Sequence, residues 1–169
     1  MVDRDFFDRH LTYEPSSGIL RWKRDETGYG SNGKVKSGHT AGYRSQIGYI
    51  YVTIGQIPYL GHRIAWILMT GSWPDHQIDH INGIRDDNRW ENLRQASKRE
   101  NQRNRRAQIN NKLGLKGVTL ARSGRYRANI CINGKQTSLG TFDTKEAAAA
   151  AYWEASITYF GEFSNDGIS

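Results

Sequence analysis

The pattern of hydrophobic and polar positions is most regular in the C-terminal third of the chain. Side chains of two kinds alternate there, with Tyr126, Ala128 and Ile130 falling between Arg125, Arg127 and Asn129. Successive side chains of a β-strand point to opposite faces of the sheet. We therefore predict a strand with one packed face and one face that is free to bind.

Further elements are predicted around this strand. Asn133-Gly134 is a strong hairpin turn signal and leads into another strand. The alanine series at 147–151 favours a helix, which Asp143 or Thr144 can cap at its N-terminus. With a first strand in the segment 115–120, these elements predict a three-stranded antiparallel sheet packed on one helix.

The N-terminal part of the chain shows shorter elements. A strand is predicted at 19–22, and a β-rich run at 49–54 is followed by a turn into residues 57–60. An amphipathic helix is predicted to continue to Met69 and to contain His62, which we expect to be buried and hydrogen-bonded rather than a metal ligand. The chain as a whole is predicted to be an α+β protein with N-terminal β-hairpins.

Composition limits the class of protein. The 169 residues include 37% hydrophobic side chains, enough for packed cores. The longest apolar run is far shorter than the roughly 20 residues of a membrane span, and the charged N-terminus lacks a signal peptide, so we expect a cytoplasmic protein. Cys131 is the only cysteine, which excludes an intrachain disulfide and a cysteine-rich zinc site.

Charge is distributed unevenly along the chain. The net charge is +7, but residues 94–127 hold 11 lysines and arginines against the single acid Glu100. Such a one-sided block attracts a phosphate backbone. We therefore predict nucleic acid as the partner, with no membrane and no obligatory protein partner.

The strongest chemical signal is Asp79-His80, followed by the bend Asn82-Gly83. An acidic residue beside a histidine can divide two tasks of phosphodiester hydrolysis: the carboxylate holds a divalent cation while the imidazole takes a proton from water. Asn92 lies 12 positions after His80 and Asn101 lies 21 after it. This is the order of a strand, a turn, a strand and a helix that fold back on their start.

This pattern, with Asp87-Asn88-Arg89 and Glu91-Asn92-Leu93 between its ends, resembles the HNH or ββα-metal endonucleases, and most closely the phage and intron-associated homing type. The resemblance implies that Asp79 and Asn101 are the metal ligands and that His80 is the general base. It also implies that Asn92 braces the loop and orients the histidine. An asparagine at the helical position favours Mg²⁺ (or Mn²⁺) over Zn²⁺, because an amide oxygen is a harder ligand than an imidazole.

Asn88 and Arg89 allow two interpretations. They can belong to the nuclease motif, or Asp87 or Asn88 can simply cap the element that follows. The capping role is the preferred prediction.

The C-terminal order of three strands and a helix, with Lys116-Gly117-Val118, Gly124-Arg125-Tyr126 and Leu139-Gly140-Thr141-Phe142, resembles the DNA-binding domain of plant ethylene-response factors, which also occurs in phage HNH endonucleases. That resemblance implies that the partner is double-stranded DNA and that the sheet enters its major groove. Ser138 and Leu120 stand where the plant pattern has tryptophans, so the base contacts do not transfer. The predicted DNA-binding residues are Arg103, Arg105, Arg106, Lys116, Arg122, Arg125, Arg127 and Asn129.

Taken together, the sequence predicts an N-terminal region and nuclease domain at 1–107, with the HNH core at about 61–107, a linker at 108–114 and a DNA-binding domain at 115–165. The predicted function is a site-directed, metal-dependent DNA endonuclease that nicks as a monomer, encoded by a phage and acting in the bacterial host. Two alternatives remain open. One is a DNA-binding regulator with an inactive nuclease scaffold, and the other is an RNA-directed nuclease.

Overall fold

Two units, Met1–Ala96 and Ser97–Ser169, divide the chain in the computed structural model, which describes residues 2–27, 34–104 and 111–165. Each unit combines helices with small antiparallel sheets. The α+β prediction is therefore confirmed at this level. Among the described residues, no helix has the length and apolar character needed to cross a membrane.

The first unit begins with helix α1 (Arg4–His10), which starts where the Asp3 side chain accepts a hydrogen bond from the amide of Phe6 at 2.9 Å. Strands β1 (Leu11–Glu14) and β2 (Ile19–Trp22) then form an antiparallel hairpin. The predicted strand at 19–22 is confirmed. The short strands β3 (Glu26–Thr27) and β4 (Lys34–Val35) pair with each other.

A three-stranded antiparallel sheet and a helix follow. The sheet contains β5 (Tyr43–Arg44), β6 (Ile50–Ile54) and β7 (Ile57–Leu60), and the helix is α2 (Gly61–Thr70). These elements, α1 and the first hairpin share one hydrophobic core. Its fully enclosed side chains are Phe7, Leu11, Leu20, Trp22, Ala41, Val52, Ile54, Ile64 and Ile67.

The first unit ends with a hairpin of β8 (Gln77–His80) and β9 (Leu93–Ala96). A 3₁₀ helix at Trp90–Asn92 leads directly into β9. Ile78 and Leu93 bury their side chains with Ala65 of α2 in a second, smaller core. Because one residue from each strand enters this core, the hairpin is held firmly against α2.

The second unit opens with helix α3 (Lys98–Arg103). Ser97 and Glu100 form a capping box, in which each side chain binds the backbone amide of the other residue. A strand, a 3₁₀ turn, a strand and a helix thus follow one another in the predicted order. The specific ββα-metal arrangement of these elements stays a prediction.

The rest of the second unit is a sheet with a helix. Strands β10 (Val118–Leu120), β11 (Tyr126–Ile132) and β12 (Lys135–Phe142) pair in that order, and helix α4 (Lys145–Phe160) packs on them before a 3₁₀ turn at Gly161–Phe163. Asn133 and Gly134 both have positive φ, as the predicted hairpin turn requires. The Thr144 hydroxyl caps α4 by accepting from the amide of Ala147. The predicted sheet and helix are confirmed.

The two faces of β11 also follow the prediction. Ala128 and Ile130 are buried against α4, Tyr126 is half-buried on the same core, and Arg127 is exposed. Alanines make this packing close, since Ala148 is completely buried. One face of the sheet is therefore used for stability, and the other carries charge.

The predicted linker at 108–114 is described only from Asn111 onward. The Asn111 amide donates to the Leu115 carbonyl at 2.7 Å, and Leu113 packs against the core of the second unit. This end of the segment is folded on the sheet and helix rather than extended. The domain boundaries drawn from the sequence stay a prediction.

Candidate active site

The hairpin of β8 and β9 places Asp79 and His80 at the end of a strand. His80 is the last residue of β8, and both side chains are buried, with exposures of 5% for Asp79 and 4% for His80. Two neighbouring side chains can face one site at such a strand end, where the chain turns. The turn is present, because the Gly83 amide donates to the His80 carbonyl at 2.8 Å.

Asp79 forms an ion pair with the residue opposite it in the hairpin. Arg94 lies across from Asp79 in the β8–β9 register, and its Nε and Nη2 atoms donate to Asp79 Oδ2 at 3.0 and 2.8 Å. Both partners are largely shielded from solvent. A buried charge pair of this kind fixes the carboxylate in one orientation, since two donors hold the same oxygen. Arg94 was not among the residues predicted from the sequence.

His80 is held by a hydrogen bond and by aromatic neighbours. Its Nε2 lies 3.0 Å from Asn88 Oδ1, the His62 ring packs edge-on at 5.2 Å, and the Tyr49 ring lies 6.0 Å away. Burial lowers the pKa of His80, although the Asn88 hydrogen bond and the charge of Asp79 oppose that effect. The neutral imidazole, which is the form that can accept a proton, is therefore favoured.

His62 is a buried neighbour of the site in helix α2. It is 6% exposed, and its ring packs against Tyr49 at 5.3 Å as well as against His80. Burial, with smaller contributions from His80 and Arg63, lowers the pKa of His62 to about 3. The prediction that this histidine is buried is confirmed, and its described contacts are with aromatic rings.

The loop between the two strands is braced by Asn92. The Asn92 amide donates to the Asp87 carbonyl at 2.7 Å, and its oxygen accepts from the Asn82 backbone amide at 2.9 Å. Asn92 is itself buried, with 5% exposure. One side chain thus ties the two ends of the loop together. The bond to the His80 ring, however, comes from Asn88.

Asp87 is the second hub of this loop. Arg89 donates to both of its carboxylate oxygens, and the Asn82 amide donates to one of them at 2.7 Å. The hydrogen bonds from Arg89, ahead of the bond from Asn82, lower the pKa of Asp87 to about 2. Asp87 is consequently an ionised structural group at neutral pH.

The predicted capping role of Asp87 or Asn88 is wrong. The residue that caps the 3₁₀ helix at Trp90–Asn92 is Arg89, and no side-chain cap bond forms there. Asp87 Oδ1 accepts from the backbone amide of Arg89 at 3.4 Å rather than from an amide of the 3₁₀ helix, and the Asn88 oxygen lies against the His80 ring. The contact with His80 supports the alternative interpretation, in which Asn88 belongs to the nuclease motif.

Asn101, the predicted helical metal ligand, lies in α3 of the second unit and is half-buried. Its backbone amide donates to the Ser97 carbonyl at 3.0 Å. Among residues 2–27, 34–104 and 111–165, no group of three or more His, Cys, Asp or Glu residues is arranged to hold a metal ion. The predicted pair includes an amide and does not depend on such a group.

Two of the predicted DNA-binding residues make contacts inside the second unit. The Lys116 ammonium donates to the Arg103 carbonyl, and the Arg103 guanidinium lies over the Phe160 ring at 4.6 Å. Both side chains are half-buried. These contacts give Arg103 and Lys116 a packing role that the sequence did not indicate.

Four further predicted residues, Arg122, Arg125, Arg127 and Asn129, lie on or beside the exposed face of the sheet. Arg122 and Arg127 are exposed and Asn129 is half-buried. Arg125 precedes β11, and its Nε lies 2.7 Å from Asp143 Oδ1 while Nη2 donates to the Thr141 carbonyl. Arg105 and Arg106 lie outside the described residues.

A comparison with protein families bears on this site. Residues 59–103 match the HNH endonuclease family. The match covers less than half of the chain, but it includes α2, the β8–β9 hairpin, the braced loop and α3. This segment supports an HNH nuclease, with nucleic acid as its substrate. No curated protein and no solved structure matches the chain.

Proposed function

We propose that this protein is a metal-dependent DNA endonuclease of the phage or homing HNH type, which cleaves at a site chosen by its C-terminal sheet. The observation that carries the proposal is the buried Asp79-His80 pair at the end of β8, inside the segment that matches HNH endonucleases. The chemistry of this pair suits phosphodiester hydrolysis, because it combines a hard anionic ligand with a proton acceptor.

In the proposed mechanism, His80 takes a proton from the water that attacks the phosphorus in line with the leaving 3′ oxygen. The histidine is suited to this role since burial lowers its pKa and keeps the imidazole neutral. Asn92 contributes indirectly, by closing the loop that follows His80. Products with 5′ phosphates are expected by analogy with the family.

The proposed cofactor is Mg²⁺ or Mn²⁺, with Asp79 and Asn101 as its protein ligands. A carboxylate and an amide are both hard oxygen donors, so the donor set fits these ions better than Zn²⁺. When bound, the ion would supply positive charge to the scissile phosphate and to the leaving oxygen. Arg94 fixes the position of Asp79 Oδ2, and its positive charge also opposes the binding of a cation at that same oxygen.

The second unit is proposed to bind duplex DNA through its exposed sheet face, as the ethylene-response-factor domains do. Arginine and asparagine suit this task, since they can read guanine and adenine in the major groove. Arg122, Arg125 and Arg127 are all exposed on or beside the sheet. One chain carries one proposed active site, so a monomer is proposed to nick a single strand.

Two other functions compete with this proposal. A DNA-binding regulator with an inactive nuclease scaffold would be expected to have lost Asp79, His80 or Asn101, and all three are present. An RNA-directed nuclease shares the same attraction to phosphate, and competition between the two nucleic acids separates it from the DNA enzyme.

The deciding experiment incubates the purified full chain with supercoiled plasmid, with Mg²⁺ or with EDTA. We expect nicked circles with Mg²⁺ only, inhibition by unlabelled duplex DNA, and much weaker inhibition by structured RNA. Asp79→Ala and Asn101→Ala should each raise the Mg²⁺ concentration that half-maximal cleavage requires. Cleavage that persists in EDTA would contradict the metal proposal, and stronger inhibition by RNA would favour the RNA-directed nuclease.

A further inference from the structure

The N-terminal hairpin reaches the candidate site through one tyrosine. Tyr13 lies in β1, and its hydroxyl donates to the backbone carbonyl of Asn88 at 2.7 Å. The two residues are 75 positions apart in the chain. The side chain of the same Asn88 holds His80. Two hydrogen bonds, one to the backbone and one to the side chain of Asn88, therefore link the first hairpin to the proposed general base.

The backbone of Asn88 is also enclosed by the turn of that hairpin. Gly18 has a φ of +73°, and a Cβ at this position would lie 2.5 Å from the Asn88 carbonyl carbon and 2.5 Å from the Arg89 nitrogen. The Trp90 amide donates to the Pro15 carbonyl at 2.9 Å beside it. Only glycine permits such a close approach between two backbones.

The side chain of Asn88 is equally confined. A Cβ on Gly61, the first residue of α2, would lie 3.1 Å from Asn88 Nδ2, and the exposure of Asn88 is only 2%. The amide therefore has little room to turn. Its oxygen is directed at the His80 ring by packing as well as by hydrogen bonding.

This arrangement selects one tautomer of the imidazole. An amide oxygen only accepts hydrogen bonds, so the His80 Nε2 that contacts Asn88 Oδ1 must be the donor. A neutral imidazole carries one N–H hydrogen, and the lone pair that can accept a proton is then on Nδ1.

We propose that Asn88 and Tyr13 are positioning residues, which hold His80 as the Nε2–H tautomer and present Nδ1 to the attacking water. The N-terminal hairpin then belongs to the catalytic apparatus and is more than a support for the nuclease core. This inference rests on the proposed role of His80 as the general base.

Loss of the Asn88 oxygen should affect catalysis and leave DNA binding unchanged. Without the Asn88 oxygen, the imidazole can exchange tautomers and rotate, so fewer molecules hold Nδ1 in the reactive position. A misplacement of about 1 Å can lower a rate by about 10²-fold, and we expect a loss of that order in kcat for Asn88→Leu, which keeps the size of the side chain and removes its acceptor. KM for DNA should scarcely change, since Asn88 is buried.

The test uses the full chain labelled with ¹⁵N at histidine, without DNA or metal, together with cleavage kinetics. In the parent protein, the ¹⁵N spectrum should show hydrogen on Nε2 and a lone pair on Nδ1 of His80. Asn88→Asp keeps an oxygen acceptor and should preserve that spectrum and most of kcat. Asn88→Leu should lose both.

Tyr13→Phe provides a milder variant, because it removes the hydroxyl and keeps the ring. It should lower kcat by a few-fold and broaden or shift the His80 signals without changing KM. This variant keeps the test valid if Asn88→Leu fails to fold. Tyr43→Phe is the matched control, since this tyrosine is exposed and its ring stacks on Tyr51 in the sheet of β5, β6 and β7. It should leave the His80 spectrum and kcat unchanged.

Two results would overturn the inference: hydrogen on Nδ1 of His80 in the parent, or an unchanged His80 spectrum and kcat in both Asn88→Leu and Tyr13→Phe. A protein that cleaves no nucleic acid but shows the expected spectral changes would support the anchoring of His80. That outcome would overturn only the proposed function, so the two failures are distinguishable.

Discussion

The two units differ in where they place the polar side chains of their candidate functional surfaces. The first unit buries a group of them around one loop, comprising His62, Asp79, His80, Asn88 and Asn92. The second unit keeps the basic side chains of its sheet at the surface, as Arg122 and Arg127 show. Hydrogen bonds are strong and directional where water is excluded, whereas exposed charges stay solvated and mobile.

The difference separates two functional demands. Proton transfer requires a group held within a fraction of an ångström, which a buried network achieves. Binding to a phosphate backbone requires accessible positive charge. The affinity then depends on the salt concentration rather than on a rigid geometry. The first unit is therefore expected to determine the rate of the reaction and the second to determine affinity.

Packing reflects the same division. The core of the first unit contains large side chains such as Phe7 and Trp22. The second unit packs a helix with a row of alanines on a single sheet, where Val118, Ala128 and Ala148 form the centre. A flat layer of this kind leaves the opposite sheet face open to a partner.

The sharpest test of the division is His80→Ala. Loss of a general base typically lowers a rate by about 10²- to 10⁴-fold, and affinity for DNA should be nearly unchanged because the base acts in the transition state. Cleavage rates and binding isotherms measure the two quantities separately. His39→Ala, at an exposed histidine, is the control and should cut like the parent. A parallel loss of affinity in His80→Ala would break the division between rate and affinity.

The close approach of the first hairpin to the site loop can be tested with Gly18→Ala. The left-handed conformation costs an alanine about 1–3 kcal/mol, and the clash with the backbone of Asn88 and Arg89 should add about 1–3 kcal/mol. Gly38→Ala is the matched control, since its φ is +82° and nothing lies within 4 Å of its Cβ position. Urea unfolding measures both variants. If both variants lost the same free energy of unfolding, close contact between Gly18 and the loop would not contribute to the effect.

For the second unit, Arg127→Ala should weaken DNA binding and leave kcat at saturating DNA unchanged. A base contact would cost about 1–3 kcal/mol and relax preference at one position, whereas a phosphate contact would weaken all sequences alike and lower the salt slope by about one unit. Arg125→Ala is expected to cost less, because Arg125 is already paired with Asp143. Fluorescence anisotropy at several salt concentrations distinguishes these cases. A fall in kcat for Arg127→Ala would show that the sheet contributes to the chemical step as well as to binding.

A further expected effect is the pH dependence of stability caused by His62. Its pKa is about 3 in the folded protein and about 6.5 when unfolded, so below pH 6.5 the unfolded chain binds a proton that the folded chain does not. His62 therefore leaves the free energy of unfolding unchanged above pH 6.5. Between pH 6.5 and pH 3 it lowers that free energy as the pH falls, by at most about 1.4 kcal/mol per pH unit.

Urea unfolding of the parent at pH 7 and pH 5 measures this loss. His62→Phe should reduce it, because phenylalanine has a similar shape and binds no proton. His76→Phe, at an exposed position, should keep the pH dependence of the parent. An identical pH dependence in His62→Phe would assign the acid sensitivity to other groups.

The sequence correctly predicted three features whose signals are local. The alternation around Arg127, the Asn133-Gly134 turn and the Thr144 cap each depend on a few neighbouring residues, and the structure shows all three. The Asp79-His80 motif was recognisable for the same reason, since its residue types and spacing are visible in a short segment.

Only the tertiary structure decided which partner each polar side chain takes. Asn88 can cap the next turn or bind a ring, and its preference for His80 follows from its enclosure by Gly18, Tyr13 and Gly61. Asp79 likewise meets Arg94 because the hairpin register places them opposite each other. An amide or a carboxylate has several partners of similar strength within reach, and long-range packing selects among them by excluding water and fixing distances.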